Sequence, residues 1–270
     1  MTLPSDVPAT LFGHDVLDVL GSGAIARVLL ARSPSGDEVA LKRLHPHLRG
    51  APHARDRLLN EAKQLERVAG PGVVALDRLL DDGRELCLSL SLVRGRSVAH
   101  DLDVAARGGP AIDTTSAARI ARETLEVLAR LHALGVVHGD VNPRNVMRTD
   151  GGVVLVDLGF AGEPSRATGG ATIGTLAYLG PEQVDGTRLP ASDVYAVGVM
   201  LWEMLRLERF HPPLPAAALL SRIAAGPDRP VDPGRPDLAP LRQLVAALLE
   251  PTPDARPTAR EAAARLRTFG

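Results

Sequence analysis

The residues best suited to chemistry lie in one short stretch, VVHGDVNPRNVM at residues 136–147. Asp140 can accept a proton from an incoming hydroxyl group, because an ionised carboxylate acts as a general base. Asn145, five residues later, can present its amide oxygen to a metal ion. The apolar pairs at the two ends of the stretch predict that it is held in a core on both sides. This pattern is typical of a catalytic loop.

A second carboxylate and a conspicuous lysine extend the set. Asp157 follows the apolar run VVLV and precedes a glycine by two residues, which suits a carboxylate that faces a cation. Lys42 lies in the strand-like segment VALK and is one of only two lysines among 31 basic residues. Burying its ammonium group would be costly unless the group met an anion. Glu61, on the predicted helix that follows, is a suitable partner, although a solvated lysine on an edge strand explains VALK equally well.

Gly21 and Gly23 lie in the stretch LGSGAIARV at residues 20–28. Glycines in such a turn let backbone N–H groups approach phosphate oxygens, although a plain turn would also explain two glycines. A predicted strand follows them, which argues against a dinucleotide-binding fold, where a helix would follow. Each feature alone has an ordinary structural explanation. Together and in this order, they favour a site for a nucleotide and a metal ion.

The elements that must position these residues change character along the chain. From Val16 to Val93 alternating apolar residues predict antiparallel strands with one helix at residues 54–68. The second part is predicted to be mainly helical, with Thr114 or Thr115 as the N-cap of the first long helix. The further predicted helices are at residues 192–207, 215–225, 238–249 and 258–266. We therefore expect an α+β protein with two lobes, residues 1–93 and 94–270.

Composition limits the classes of partner. The chain has 270 residues, 45% of them hydrophobic, a formal net charge of -1 and a single cysteine, Cys87. This charge gives no electrostatic reason to expect nucleic acid or a membrane surface as a partner. A lone cysteine rules out an internal disulfide, and no apolar segment approaches the roughly 20 residues of a membrane helix. We expect a cytoplasmic protein.

From about residue 12 to residue 268 the chain resembles the protein kinase family, and in particular the bacterial eukaryotic-like Ser/Thr kinases. LGSGAIARV resembles the glycine-rich loop, VALK the strand of the nucleotide lysine, HGDVNPRN the catalytic loop and DLG the metal-binding triplet. LHPHL at residues 44–48 is also similar to the bacterial group. GTLAYLGPE at residues 174–182 resembles the end of the activation loop, and Arg256 in DARP matches the arginine that pairs with the residue at Glu182.

The resemblance implies a bilobal kinase fold, with ATP and Mg2+ as ligands and proteins with Ser or Thr hydroxyl groups as substrates. Lys42 would hold the α- and β-phosphates and Glu61 would hold Lys42, while Asn145 and Asp157 would bind magnesium and Asp140 would orient the substrate hydroxyl. The positions that match the nucleotide pocket are Gly21, Gly23, Val28, Ala40, Met147, the gatekeeper Leu90 and the hinge backbone from Leu90 to Leu92.

Three positions depart from the family pattern. Ala26 replaces the third glycine of the loop, which adds one methyl group. Gly139 replaces an arginine that normally receives an activation-loop phosphate, so we expect activity without phosphorylation of Ser165, Thr168 or Thr172. Asn142 stands where Ser/Thr kinases carry a lysine that neutralises the γ-phosphate during transfer. We expect Arg144, two residues later, to supply that charge.

Two alternatives stay open at this point. HGD also resembles small-molecule kinases of the aminoglycoside type, but GTLAYLGPE and Arg256 favour a protein substrate, and Thr175 favours Ser or Thr as the acceptor. A pseudokinase scaffold that binds nucleotide without transfer is favoured if Asn142 leaves the γ-phosphate under-neutralised. The sequence shows no sensor segment, so the input signal would come from a regulatory partner protein or from ligand supply.

Overall fold

Alternating apolar residues and short turns form a six-stranded antiparallel sheet in the first third of the chain. In the computed structural model, which describes residues 4, 6–163, 165–166, 176–226 and 239–269, the strand order is β1-β2-β3-β4-β6-β5. The strands are β1 (Thr10–Leu11), β2 (His14–Ser22), β3 (Ala26–Arg32), β4 (Glu38–Leu44), β5 (Leu76–Asp81) and β6 (Leu86–Ser91). One face of this sheet packs into an apolar cluster that includes Leu29, Leu41 and Cys87. Cys87 is therefore a packing residue.

The helix between β4 and β5 is α1 (Pro52–Arg67). Its first helical residue is a proline, which suits that position because the N–H that proline lacks would have no partner within the helix. Leu58, Glu61 and Leu65 are buried, at spacings of three and four residues that place them on one side of the helix. The carboxylate of Glu61 therefore lies on the same side as the apolar residues that pack the helix.

The remainder of the chain is mainly helical. Its helices are α2 (Val98–Ala106), α3 (Thr114–Ala133), α4 (Pro181–Val184), α5 (Pro190–Arg206), α6 (Ala216–Ala224), α7 (Ala239–Leu248) and α8 (Ala259–Leu266). Helix α5 is buried continuously from Ser192 to Met204 and packs against α3, α7 and α8. A helix buried on all sides serves as the centre around which the others pack. The predicted α+β class, with a one-helix sheet followed by a mainly helical part, is confirmed.

Short strands accompany these helices. β7 (Arg96–Ser97), β8 (Val146–Thr149) and β9 (Gly152–Leu155) form a three-stranded antiparallel sheet, and β10 (Ser165–Arg166) pairs with β11 (Thr187–Arg188). By its internal contacts the chain divides into a first unit, Met1–Arg94 with Asp157–Phe160, and a second unit, Gly95–Val156 with Ala161–Gly270. Among the helices in the described residues, none combines the length and the apolarity that a bilayer span requires.

The structure differs from the sequence predictions at the start of α3 and in two helices that were not predicted, α2 and α4. The N-cap of α3 is Asp113, not Thr114 or Thr115, and its carboxylate accepts a hydrogen bond from Ser116 N at 2.8 Å. Asp is as good an N-cap as any residue because its side-chain oxygen accepts from the third helical N–H. Helix α2 was not predicted, although Ser97 caps it by accepting from His100 N. The other predicted helices agree with the structure to within two residues at each end.

A buried ion pair fixes helix α4 to the C-terminal part of the second unit. Arg256 Nη1 and Nη2 donate to the two carboxylate oxygens of Glu182 at 2.8 Å each, and the Arg256 side chain is fully buried. Further hydrogen bonds join its guanidinium to the carbonyl oxygens of Ala191, Glu250 and Pro251. This is the pair expected from the resemblance. The guanidinium thus satisfies five acceptor contacts in a site that water does not reach.

Arg256→Ala should lower the free energy of unfolding by about 3–5 kcal/mol, because it leaves the Glu182 carboxylate buried without its counter-charge. Denaturant unfolding monitored by circular dichroism measures this difference. Arg260→Ala, an exposed arginine four residues later, is the control and should change stability by less than about 0.5 kcal/mol. Equal stability of the two variants would show that the pair contributes little.

Candidate active site

A buried lysine with two carboxylates is the main polar cluster of the first unit. Lys42 Nζ donates to both oxygens of Glu61 at 2.7 Å and to Oδ1 of Asp157 at 2.8 Å. Lys42 is 7% exposed and Glu61 1% exposed, whereas the Asp157 side chain is 39% exposed. The solvated-lysine reading of VALK is therefore wrong. The structure brings together three of the residues that the sequence analysis selected for chemistry.

The charges in this cluster shift one another's protonation. Burial alone would lower the pKa of Lys42, but the negative charges of Glu61 and Asp157 outweigh it and raise that pKa to about 12. Burial would also raise the pKa of Asp157, but the Lys42 ammonium lowers it to about 2. The deeper Glu61 responds mainly to burial, and the pKa of its carboxyl rises to about 6. Above pH 6 the three groups carry one positive and two negative charges.

Arg57 adds a second cation beside the two carboxylates. Its guanidinium carbon lies 3.2 Å from the centroid of the Phe160 ring, in a cation–π contact. Its positive charge helps to keep the pKa values of Glu61 and Asp157 down. Between these groups lies Gly159, where an added Cβ would be 3.2 Å from both Arg57 Nε and Asp157 Oδ1. These distances are tighter than a Cβ usually makes, so a larger residue would require the charged groups to shift by a few tenths of an ångström.

The predicted nucleotide residues of the first unit share one face of the sheet. Gly21 is opposite Val28, Val28 is opposite Lys42, and Ala40 is opposite Leu90. Directly opposed residues in an antiparallel sheet point to the same side, as do residues two apart in one strand, such as Ala40 and Lys42. The register therefore places five predicted residues on one surface. Leu92, half-buried, follows one residue after the end of β6.

The two glycines of the first loop are not required by the packing of this chain. Neither Gly21 nor Gly23 has a positive φ, the backbone conformation that favours glycine. A Cβ at Gly21 would meet nothing within 4 Å, and one at Gly23 would make an ordinary contact of 3.6 Å with the carbonyl oxygen of Ala26. The plain-turn explanation is therefore weakened. The open space beside Gly21 leaves room for a closely approaching phosphate group.

In the second unit, two asparagines shape the loop that carries Asp140. Asn142 Nδ2 and Asn145 Nδ2 donate to the main-chain oxygen of Asp140 at 3.0 and 2.9 Å, and Asn145 Nδ2 also lies 3.1 Å from Asp140 Oδ2. Asn142 Oδ1 accepts from Arg144 N at 3.0 Å. Asn142 is 2% exposed, so its whole amide is used inside the loop. It braces the loop but provides no positive charge.

A buried aspartate of α5 holds the start of the same loop. Asp193 accepts hydrogen bonds from His138 N at 2.9 Å, Gly139 N at 2.8 Å and His132 Nε2 at 2.8 Å. Burial would raise the pKa of this carboxyl, but the hydrogen bond from His132 and the other donors lower it. Gly139 has a φ of +76°, which glycine adopts without strain. The residue that departs from the family pattern therefore suits the local backbone.

Two further predicted residues, Arg144 and Met147, belong to the second unit. The Arg144 side chain is exposed, and Met147 is half-buried in β8. Thr168, Thr172 and Thr175 lie outside the described residues, and for Ser165 the structure describes only the backbone. The expectation about activation-loop phosphorylation therefore stays a prediction.

Sequence reasoning missed three contributors. Arg57 precedes Glu61 by one helical turn, so its i, i+4 spacing was a usable signal. His132 lies 61 residues from Asp193, and no local pattern connects them. The bracing role of Asn142 was also missed. An Asn beside a turn often hydrogen-bonds the nearby backbone, which was the available signal.

Glu61 should titrate near pH 6, not near its ordinary value of 4.5, because its carboxyl is buried. Carbon-13 NMR of glutamate-labelled protein from pH 4 to 8 measures the midpoint. In Lys42→Met the midpoint should move higher still, because the opposing positive charge is lost.

The folded state holds the proton of Glu61 more tightly than the unfolded chain does. From this group alone, the free energy of unfolding therefore falls as pH rises from 4.5 to about 6. A midpoint near 4.5 in both proteins would contradict the prediction.

Comparison with known proteins agrees with this geometry. A sequence profile described as "Protein kinase domain" matches residues 14–266. The chain is 32% identical over 272 residues to the probable serine/threonine-protein kinase PkwA of Thermomonospora curvata, which covers 98% of this chain. It is 34% identical to PkaB of Streptomyces coelicolor and 34% identical to pkn2 of Myxococcus xanthus, both named serine/threonine-protein kinases, over 92% and 90% of this chain.

The chain spans only part of these relatives, namely 35% of PkwA, 61% of PkaB and 30% of pkn2. The matching region contains both clusters described above, since Lys42, Glu61, Asp157 and Asp140 all lie between residues 14 and 266. The profile covers nearly the whole chain, and its boundaries fall close to those expected from the motifs. The chain belongs to the protein kinase family.

Proposed function

We propose that this protein transfers the γ-phosphoryl group of ATP to Ser or Thr hydroxyl groups of protein substrates. The observation that carries the proposal is the buried Lys42, held charged by both oxygens of Glu61 and by Asp157. Lysines are rarely buried, and ionisable groups whose pKa values are strongly shifted cluster at functional sites. In a phosphoryl-transfer site such a lysine binds the non-transferred phosphates. The printed names of the three relatives support the Ser/Thr assignment.

The predicted residues take the following roles in this proposal. Lys42 binds the α- and β-phosphates, and Glu61 fixes its position. The face with Gly21, Val28, Ala40 and Leu90, together with Gly23, Leu92 and Met147, binds the nucleotide. Asp140 orients the acceptor hydroxyl and takes its proton as the new O–P bond forms and ADP leaves. We propose that residues 1–93 form the nucleotide-binding lobe and residues 94–270 the catalytic and substrate lobe.

The metal that the family uses is Mg2+, and the oxygen donors present fit it. Asp157 Oδ2 and Asn145 Oδ1 receive no hydrogen bond from the residues that the structure describes. Within that same part of the chain no three His, Cys, Asp or Glu side chains cluster as a metal site. Mg2+ needs no such cluster, because it is usually held by one or two protein oxygens together with phosphates and water. Bound there, it would neutralise phosphate charge.

A protein substrate fits better than a small molecule. The Glu182–Arg256 pair braces the segment GTLAYLGPE, which in the family forms the platform for a protein substrate, and Tyr178 of that segment donates to Glu203 at 2.7 Å. A small-molecule kinase has no need of such a platform. The proposal therefore keeps a protein acceptor, with a regulatory partner protein as one source of its input signal.

One observation favours a second candidate function. The Asn142 amide is fully used inside its loop, so the charge that a lysine would place near the γ-phosphate is absent there. A nucleotide-binding protein that signals without phosphoryl transfer would tolerate this loss. Against it stands Asp140, because a scaffold has no need of a proton acceptor at that position.

Asp140→Asn should reduce phosphoryl transfer by about 10²–10⁴-fold, because the amide cannot take the hydroxyl proton. The assay is transfer of labelled γ-phosphate from ATP with Mg2+, to the protein itself and to a generic protein substrate. Asp150→Asn, an exposed aspartate in the next turn, is the control and should retain activity. ATP binding without transfer in the unmodified protein would favour the second candidate.

We also propose that Arg144 supplies the missing charge during transfer. Its exposed side chain makes no ion pair within the described residues, so its guanidinium is available. Arg144→Ala should then lower kcat by about 10–100-fold, and Arg144→Lys should recover part of it, since charge on the transferring group is a large contribution to catalysis. Arg107→Ala, an exposed arginine of the same unit, is the control. Unchanged kcat in Arg144→Ala would end this assignment.

A further inference from the structure

The motif LHPHL contains a histidine that contacts the glycine-rich loop directly. His45 Nε2 lies 2.8 Å from the main-chain oxygen of Gly23. A carbonyl oxygen only accepts hydrogen bonds, so the ring nitrogen carries the proton and donates. None of the roles assigned above uses this contact, although it involves one of the two glycines that a nucleotide phosphate would approach.

The backbone and a second ring fix the position of His45. Strand β4 ends at Leu44, which is opposite Ala26, and His45 N donates to the Ile25 oxygen at 3.0 Å, so the pairing continues for one more residue. The His47 ring stacks on that of His45, with centroids 5.6 Å apart and planes 10° apart. The imidazole therefore points at the loop from a defined place at the end of the strand.

The hydrogen bond determines the orientation of one peptide group. All peptide bonds of the described residues are trans, and in a trans peptide the C=O and the N–H point in opposite directions. When His45 holds the Gly23 oxygen, the N–H of Ala24 is turned to the opposite side. That N–H donates no main-chain hydrogen bond in the described part of the chain. A glycine beside this peptide would otherwise let it rotate readily.

We propose that His45 is a positioning residue that orients the Gly23–Ala24 peptide so that its N–H can bind a nucleotide phosphate. This inference rests on the proposed function, because it assumes that ATP binds beside the loop. An oriented N–H needs no rearrangement when the phosphate arrives, which is how a preorganised backbone improves binding of an anion. The contribution should appear only for ligands that carry phosphate.

The test compares nucleotide binding, measured by calorimetry with Mg2+, across three ligands: adenosine, ADP and a non-hydrolysable ATP analogue. His45→Phe keeps an aromatic ring for the stack on His47 but cannot donate, whereas His45→Gln keeps a donor. We expect His45→Phe to weaken ADP and the ATP analogue by about three- to tenfold, the usual effect of one lost hydrogen bond, and to leave adenosine unchanged. His45→Gln should recover part of the loss.

His53→Ala, an exposed histidine of α1, is the matched control, and melting temperatures verify that each variant is folded. Unchanged ADP affinity in a folded His45→Phe variant would overturn the inference and leave the proposed function standing. Equal weakening of adenosine and ADP would also overturn it, because the effect would not depend on phosphate. If the unmodified protein bound no adenine nucleotide, the proposed function would fail and the inference with it.

Discussion

The cost of burying the charge of Lys42 governs the first unit of this protein. The ammonium group of a lysine that is only 7% exposed stays charged only where anions replace its water, and Glu61 and Asp157 do so at 2.7–2.8 Å. Two carboxylates leave the cluster with excess negative charge, and Arg57 offsets part of it. Gly159 packs against the same cluster, and a side chain there would require the charged groups to shift. The ion pairs of Lys42 with Glu61 and Asp157 thus hold helix α1 and the segment Asp157–Phe160 against strand β4.

A second buried charge, that of Asp193, holds the loop of the second unit that carries Asp140. Asp193 is a fully buried carboxylate whose hydrogen-bond donors come from the loop backbone and from His132. Its charge is stable only in the presence of those donors, so the loop backbone is held in one conformation. Asn142 and Asn145 complete the loop by donating to the same main-chain oxygen of Asp140. Asp140, the proposed general base, is therefore positioned by hydrogen bonds that its own loop provides.

These two constraints clarify the departures from the family pattern. Gly139 has a positive φ, so the loss of the usual arginine coincides with a backbone that glycine accepts without strain. Asn142 exchanges a mobile positive charge for two hydrogen bonds within the loop. The exchange favours a rigid loop, and under the proposed function another group would have to neutralise the γ-phosphate. Arg144 is the exposed cation nearest in sequence, which is why the proposal assigns it that task.

The sequence by itself determined the order of the longer elements and the residue types of the candidate site. Apolar periodicity predicted the strand-rich and helical parts, and the spacing of Lys42, Glu61, Asp140, Asn145 and Asp157 predicted a phosphate and metal site. These features are local, because periodicity and motif spacing depend on neighbours along the chain. The helix N-cap at Asp113 shows the limit of such reasoning, since several adjacent polar residues were equally suitable.

Only the tertiary structure decided which partners meet across long stretches of chain. The contacts Arg57–Phe160, His132–Asp193 and His45–Gly23 join residues 103, 61 and 22 positions apart. Side-chain hydrogen bonds and ring contacts depend on distances of a few tenths of an ångström, which no sequence spacing specifies. The sequence therefore determined which groups are present for the chemistry. The folded structure determined which of their charges are balanced and which peptide groups are held in place.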